Sequence, residues 1–289
     1  NGHGRIGLYL HNLQAGAARL IYENESGTDA IARRTPHYAL WSPDRSWLAL
    51  IARTWSNGLT LLIIDPVEGA AASRIINGMP LFVSWSCDSR HLLVHCGPSH
   101  YVVDAACDLE TAKVPGRSSL YMAPSWSPVD DRIAILSEEY EGQQSLQVGS
   151  VSEAEVSRIT QFHGVGAFSW SPTGNSIGLL RDHQSGDRLY QGLWVVDSRG
   201  GGERRIVNDR VLCFFWSPSG NEIAFVTPSS ESKGPLRWGI VDVRYDESLR
   251  YFAEFRPSEE QLTIFMFFDQ YAQSHNPWSP DGRHLIFSG

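Results

Sequence analysis

Trp216-Ser217-Pro218-Ser219-Gly220-Asn221-Glu222-Ile223-Ala224-Phe225-Val226 is one of six versions of a single phrase: a tryptophan, a Ser-Pro turn, then an apolar strand. The others open at Trp41-Ser42-Pro43-Asp44, Trp85-Ser86-Cys87-Asp88, Trp126-Ser127-Pro128, Trp170-Ser171-Pro172 and Trp278-Ser279-Pro280-Asp281-Gly282. Their tryptophans stand 44, 41, 44, 46 and 62 residues apart. Self-similarity at that period marks a repeat architecture. Proline presets φ for a β-turn and glycine or asparagine tolerates positive φ, so each phrase reads as a β-hairpin.

The hairpins' second strands are Trp47–Ile51, Leu92–Cys96, Arg132–Leu136, Ser176–Leu180, Glu222–Val226 and His284–Phe287. A third strand follows at Leu61–Asp65, Tyr101–Asp104, Leu193–Asp197 and Gly239–Val243, and a fourth at Ser73–Ile76, Val156–Thr160 and Glu203–Val207. Four antiparallel strands per repeat make one propeller blade. No sustained i, i+3, i+4 apolar pattern occurs, so almost no helix is expected. The last hairpin, 276–288, lacks two strands, and Ile6–His11 and Ala18–Glu23 supply two at the other end. The expectation is therefore a single domain over 1–289, an all-β six-bladed β-propeller closed when the N-terminal strands complete the last blade. Closure removes exposed sheet edges.

The repeated Trp-Ser-Pro-Asp-Gly turn before an apolar strand resembles the TolB-like six-bladed β-propellers, over essentially the whole chain. Such propellers serve as adaptors, as ligand-binding domains and as lids on peptidases, so the resemblance implies a fold and leaves several roles open. The chain departs from the pattern at Cys87, at Val129-Asp130-Asp131, and where Thr173 and Ser219 replace the aspartate. A turn role survives these changes, whereas a repeat-wide metal or capping role for the aspartate does not follow.

The net charge of −8 argues against nucleic acid, which rewards a basic stripe, and against a polybasic membrane patch. No run of 18 or more apolar residues spans a membrane. Asn1 in place of Met leaves open a signal or anchor removed or lying outside the sequence, and an extracytoplasmic place at a bacterial cell envelope is expected, with the cytoplasm open. Antiparallel counting across Gly97-Pro98-Ser99 brings 95 near 101 and 89 near 107. Cys87 and Cys107 then fall at one end of their blade, where a disulfide is geometrically open. Cys96 and Cys213 suit small buried hydrophobes, and zinc spacing is absent.

In a propeller, one face gathers the loops between second and third strands and between successive blades. Here that face receives Arg53, Trp55, Tyr140, Arg181, His183, Asp209, Tyr271 and His275, together with His37, Glu139, His163 and Asp269. A mixed aromatic, acidic and His/Arg set suits a protein partner or a small polar or peptide ligand at the channel mouth. The plainer explanation is that loops are polar because they are wet. No serine-hydrolase elbow, His-Glu-x-x-His, Walker loop or dinucleotide fingerprint occurs, so no catalytic residue and no cofactor are assigned. The expected function is a non-catalytic binding scaffold. Two alternatives stand beside it: a propeller lyase with a metal on His37, His163, His183 and His275, which the resemblance brings in, and a lid for a peptidase elsewhere. The span from Trp216 to Trp278 is about 18 residues longer than the 44-residue spacing. Its excess, 250–275 with the apolar block Leu262–Phe268, reads as an outer strand and an extended crossing, with Phe265, Phe267 and Phe268 as core.

Overall fold

The computed structural model describes the chain apart from residues 1–5, 25–34, 55–57, 68–72, 107–110, 119–121, 141, 152–154, 183–188, 230–233, 246–247 and 273. It forms two compact units, residues 1–126 and 127–289. The first holds the two-stranded ladder β1 (Gly7–Asn12) and β2 (Ala17–Glu23). Two four-stranded antiparallel sheets follow: β3 (Thr35–Trp41), β4 (Leu48–Arg53), β5 (Leu59–Ile64) and β6 (Ser73–Gly78), then β7 (Leu81–Trp85), β8 (His91–Cys96), β9 (Ser99–Asp104) and β10 (Thr111–Val114). The third repeat supplies β11 (Ser125–Trp126) at the end of this unit.

The second unit opens with β12 (Arg132–Tyr140), β13 (Gln143–Ser150) and β14 (Glu155–His163). Its two complete sheets are β15 (Val165–Trp170), β16 (Ser176–Asp182), β17 (Leu193–Asp197) and β18 (Glu203–Val207), then β19 (Cys213–Trp216), β20 (Glu222–Pro228), β21 (Leu236–Asp242) and β22 (Arg250–Phe255). The last hairpin is present as a single bridge, Trp278 to Leu285, rather than as two strands.

Local chemistry explains the repetition. In the turn after Trp216, Ser217 N–H donates to Glu222 O (2.9 Å) and Ser217 Oγ accepts from Glu222 N–H (3.1 Å), so one serine closes the turn from both sides. Ser42 does the same with Trp47, and Ser279 with His284. The fourth turn residue is left-handed at Arg45 (φ 67°), Ser89 (63°), Gly174 (69°), Gly220 (71°) and Gly282 (68°), which is why glycine recurs there. The third repeat keeps the Ser127 N–H to Arg132 O bond (2.7 Å), but Asp130 occupies the glycine position and binds Arg132 Nε (2.9 Å).

The tryptophans stitch repeat to repeat. Indole N–H groups of Trp85, Trp216 and Trp278 donate to Leu40 O (3.1 Å), Ser169 O (3.2 Å) and Phe215 O (3.1 Å), in each case the residue before the preceding repeat's tryptophan. The interiors of the second strands β4, β8, β12, β16 and β20 are buried on both sides. Sheets covered on both faces need continuous apolar runs rather than alternation.

Two expectations are corrected. The crossing after β22 is helical: α1 (Glu259–Met266) and α2 (Phe268–Tyr271). Ser258 caps α1 by accepting from Gln261 N–H (3.2 Å), and Glu259 and Glu260 suit the positive N-terminus. A seven-residue apolar run cannot distinguish strand from helix by periodicity, and burial of Phe265 and Phe268 decided for helix. The β8–β9 turn uses only Gly97 and Pro98, with Gly97 at φ 57°, so His95 faces His100 rather than residue 101.

Candidate functional site

The predicted residues fall into three groups. Trp55, His183 and Cys107 lie outside the described residues. Arg53 ends β4 and Tyr140 ends β12; both are exposed, as are His275 and Cys87. Partial burial, with the Arg53 charge second, lowers the His37 imidazole below its ordinary range. Tyr271 closes α2 and meets His275 edge-on at 5.3 Å, while Ser274 Oγ lies 2.8 Å from His275 Nδ1.

Arg181 and Asp209 belong to assembled polar sets. From β16, the Arg181 guanidinium reaches across its sheet, 4.1 Å from the Trp194 ring, to Glu203 on the fourth strand (2.5 Å). Arg205 also lies over Trp194 (4.9 Å), and Thr160 Oγ1 donates to Glu203 (2.5 Å). Asp209, after β18, accepts from the Tyr251 hydroxyl and from Arg237 Nη2 (3.3 Å), while Arg237 covers the Tyr251 ring at 3.8 Å. Burial first, then the bond and charge of Asp209, push the Tyr251 phenol up to about 12. It therefore remains a hydrogen-bond donor across the physiological range. Both sets keep part of their surface: Arg181 20 %, Arg237 30 % and Asp209 40 %.

A cluster not expected from the sequence lies inside the first unit. His95 and His100, opposite each other on β8 and β9, are fully buried with ring centroids 4.9 Å apart. Ser118 Oγ lies 2.7 Å from His95 Nε2 and 3.3 Å from His100 Nε2. His95 Nδ1 meets Met122 O at 2.6 Å and its Nε2 is 2.8 Å from Gly97 O; His100 Nδ1 has no partner. Burial, with His95 second, drives the His100 pKa to about 3, and burial lowers His95 against the pull of its two carbonyls. Ser-His pairs can activate a nucleophile, but Ser118 is itself buried and cannot meet an outside substrate. Among the described residues, no group of three or more His, Cys, Asp or Glu side chains could hold a metal ion.

No protein-family model and no curated protein matches the chain. Solved structures do. TolB from Acinetobacter baumannii is similar with a TM-score of 0.52 at 15 % identity over 86 % of this chain, which spans 60 % of that protein's length. A putative TolB from Agrobacterium tumefaciens matches at 0.53 and 16 % identity, covering 96 % of this chain and 95 % of that one. An oligogalacturonate lyase in complex with manganese matches at 0.61 and 15 % identity, over 89 % of this chain and 75 % of that one. At these identities the likeness shows the fold alone, that of an all-β six-bladed propeller with four-stranded antiparallel blades.

Proposed function

We propose that the chain is a non-catalytic binding module of TolB-like propeller type, acting at a bacterial cell envelope on a protein partner or a small polar or peptide ligand. The observation that carries this reading is the pair of assembled sets on neighbouring sheets of the second unit, Arg181–Trp194–Glu203 and Asp209–Arg237–Tyr251. Their guanidinium and aromatic groups are held by one another, so little side-chain freedom remains to be lost when a partner arrives. Arg, Tyr and Trp are also the residue types that dominate interface energy. Tyr140, Tyr271 and His275 add exposed or half-buried rings at strand and helix ends of the same unit. TolB-like and lyase-like neighbours both fit the fold, but no described group favours the lyase reading over binding. Combined Arg181→Ala, Arg237→Ala and Tyr271→Ala changes should leave a cooperative melting transition while removing partner crosslinks made in intact cells. Undiminished crosslinking to the same partner in the folded variant would overturn the reading.

A further inference from the structure

His95 on β8 and His100 on β9 are buried together with Ser118, which lies on the connection from β10 to β11. The oxygens around the two rings, those of Gly97, Ser118 and Met122, all belong to the first unit. A neutral imidazole has one N–H and one bare nitrogen, so these contacts decide where each proton sits. His95 meets a carbonyl oxygen at both nitrogens, Met122 O at Nδ1 (2.6 Å) and Gly97 O at Nε2 (2.8 Å). Only one of them can receive its single N–H.

Ser118 settles the choice. Its hydroxyl can donate to Nε2 at 2.7 Å, whereas Nδ1 meets only the Met122 carbonyl among the described residues. The His95 proton therefore sits on Nδ1 and is donated to Met122 O. His100 follows from its own contacts. Its Nδ1 has no partner, and a buried bare nitrogen is less unfavourable than an orphaned N–H. Its proton is thus on Nε2, donated to Ser118 Oγ (3.3 Å). The result is a one-way chain, His100 to Ser118 to His95 to Met122, with a single misfit: Gly97 O faces the bare Nε2 of His95, acceptor against acceptor. A proton added at that nitrogen turns the misfit into a charge-assisted hydrogen bond. It also removes the acceptor that the Ser118 hydroxyl uses.

We propose that His95 is a one-proton switch: neutral, it holds the Ser118 hydroxyl; protonated, it bonds Gly97 O and Met122 O and lets that hydroxyl go. Ser118 N–H still donates to Pro98 O (3.0 Å), a bond that opens more easily once the side-chain tie is lost. Two residues earlier, Gly116 at φ 101° gives the backbone room to turn. No carboxylate acts on either ring among the described residues. Cys96 on β8 turns its thiol to Asn77 O, Lys113 on β10 and Arg117 beyond it are exposed, and β7 carries no titratable side chain. His91 and Asp104 meet each other at the far end of the two strands (4.0 Å). Burial lowers His95 against the pull of its two carbonyls, so uptake belongs to acid, below the ordinary imidazole range. His100, whose Nδ1 has no acceptor, stays neutral there. The switch does not rest on the second-unit surface proposed above.

Imidazole nitrogen NMR on the isotope-labelled intact chain tests the tautomers, and hydrogen exchange at the Ser118 amide tests the release. At neutral pH His95 should carry its proton on Nδ1 and His100 on Nε2. As the pH is lowered towards the onset of acid unfolding, His95 should become doubly protonated while His100 remains neutral. Over that step Ser118 amide protection, corrected for the intrinsic pH dependence of exchange, should fall about ten-fold, the worth of one buried hydrogen bond. The Val94 amide on β8 should keep its protection. His95→Gln, which cannot take up the proton, should make Ser118 protection independent of pH; if that variant does not fold, the intact chain still decides. Five results would each overturn the proposal: an Nε2 proton on His95 at neutral pH, His100 ionising first, both rings neutral until the chain unfolds, Ser118 protection unchanged with His95 ionised, or a pH dependence that survives in folded His95→Gln.

Discussion

The sheet β7–β10 and the sheet β19–β22 share one grammar and enclose opposite chemistries. Beneath β19–β22 the filling is aromatic: Phe214, Phe215, Phe225 and Trp238, closed by Phe265 and Phe268 from the helical crossing. Within β7–β10, two imidazoles and a serine are buried beside Phe82, one ring nitrogen without a partner. The repeated phrase dictates the turn and the tryptophan stitch, and says nothing about what fills a blade. One sheet should depend on volume; the other should depend on the protonation of its histidines.

The largest effect expected from this contrast is on the aromatic side. Phe268 is 1 % exposed, with its ring 5.0 Å from Phe214 and 6.5 Å from Phe215. Phe268→Ala should cost about 3–5 kcal/mol, since a buried ring is replaced by a cavity. Denaturant unfolding measures it, and a loss under 1 kcal/mol would mean that the helical crossing merely lies on the surface.

The polar sheet should respond to acid. His100 titrates near 3 when folded and near 6.5 in the unfolded chain, so below pH 6.5 the unfolded state takes up a proton that the folded state refuses. The stability is fully present above pH 6.5 and is lost as pH falls toward 3, by roughly 1.4 kcal/mol per unit. Between pH 6.5 and 4.5 the loss should reach about 2–3 kcal/mol from His100, and His95 shifts the same way. Urea midpoints across that window check it. His100→Gln should flatten the slope by one proton, and an unchanged slope would place the acid sensitivity elsewhere.

How much of this was legible depended on whether a signal is local. Turns, tryptophan packing and most strand positions follow from residues a few places apart; β17 and β18 fall on the expected spans, Leu193–Asp197 and Glu203–Val207. The histidine pair was missed because of one residue. Counting Gly97-Pro98-Ser99 as the loop sets 95 beside 101, whereas the two-residue turn sets it beside His100. A one-residue slip in a strand moves every side chain to the other face, and with it the one observation that would have marked two histidines as partners. Arg181 shows another limit. The sequence reading ends the strand at Leu180 and leaves Arg181 in the following loop, whereas β16 runs through it to Asp182, and its commitment to Trp194 and Glu203 joins three strands and appears only once the sheet is assembled.

The turn common to the repeats gives a third, smaller test. Gly174 sits at φ 69°, and a Cβ there would lie 2.3 Å from Val129 Cγ2 and 3.3 Å from Ser127 Oγ. Gly174→Ala should therefore cost about 2 kcal/mol, from left-handed backbone plus overpacking, read as a lowered unfolding midpoint.

The reverse substitution should give the smallest effect, with the opposite sign. Arg45 occupies the corresponding position at φ 67° with an exposed side chain and no ion pair among the described residues. Arg45→Gly relieves a backbone region that costs a non-glycine residue about 1–2 kcal/mol. The added freedom of glycine in the unfolded chain takes back roughly 0.4–1 kcal/mol of this. The net gain should lie between about 0 and 1.6 kcal/mol, visible as a small rise in the unfolding midpoint with an unchanged denaturant slope. Paired with Gly174→Ala, it separates two meanings of the repeat glycine. If Gly174→Ala destabilises and Arg45→Gly stabilises, the glycine is there for its backbone. If Arg45→Gly destabilises as well, the arginine contributes to folding through its side chain.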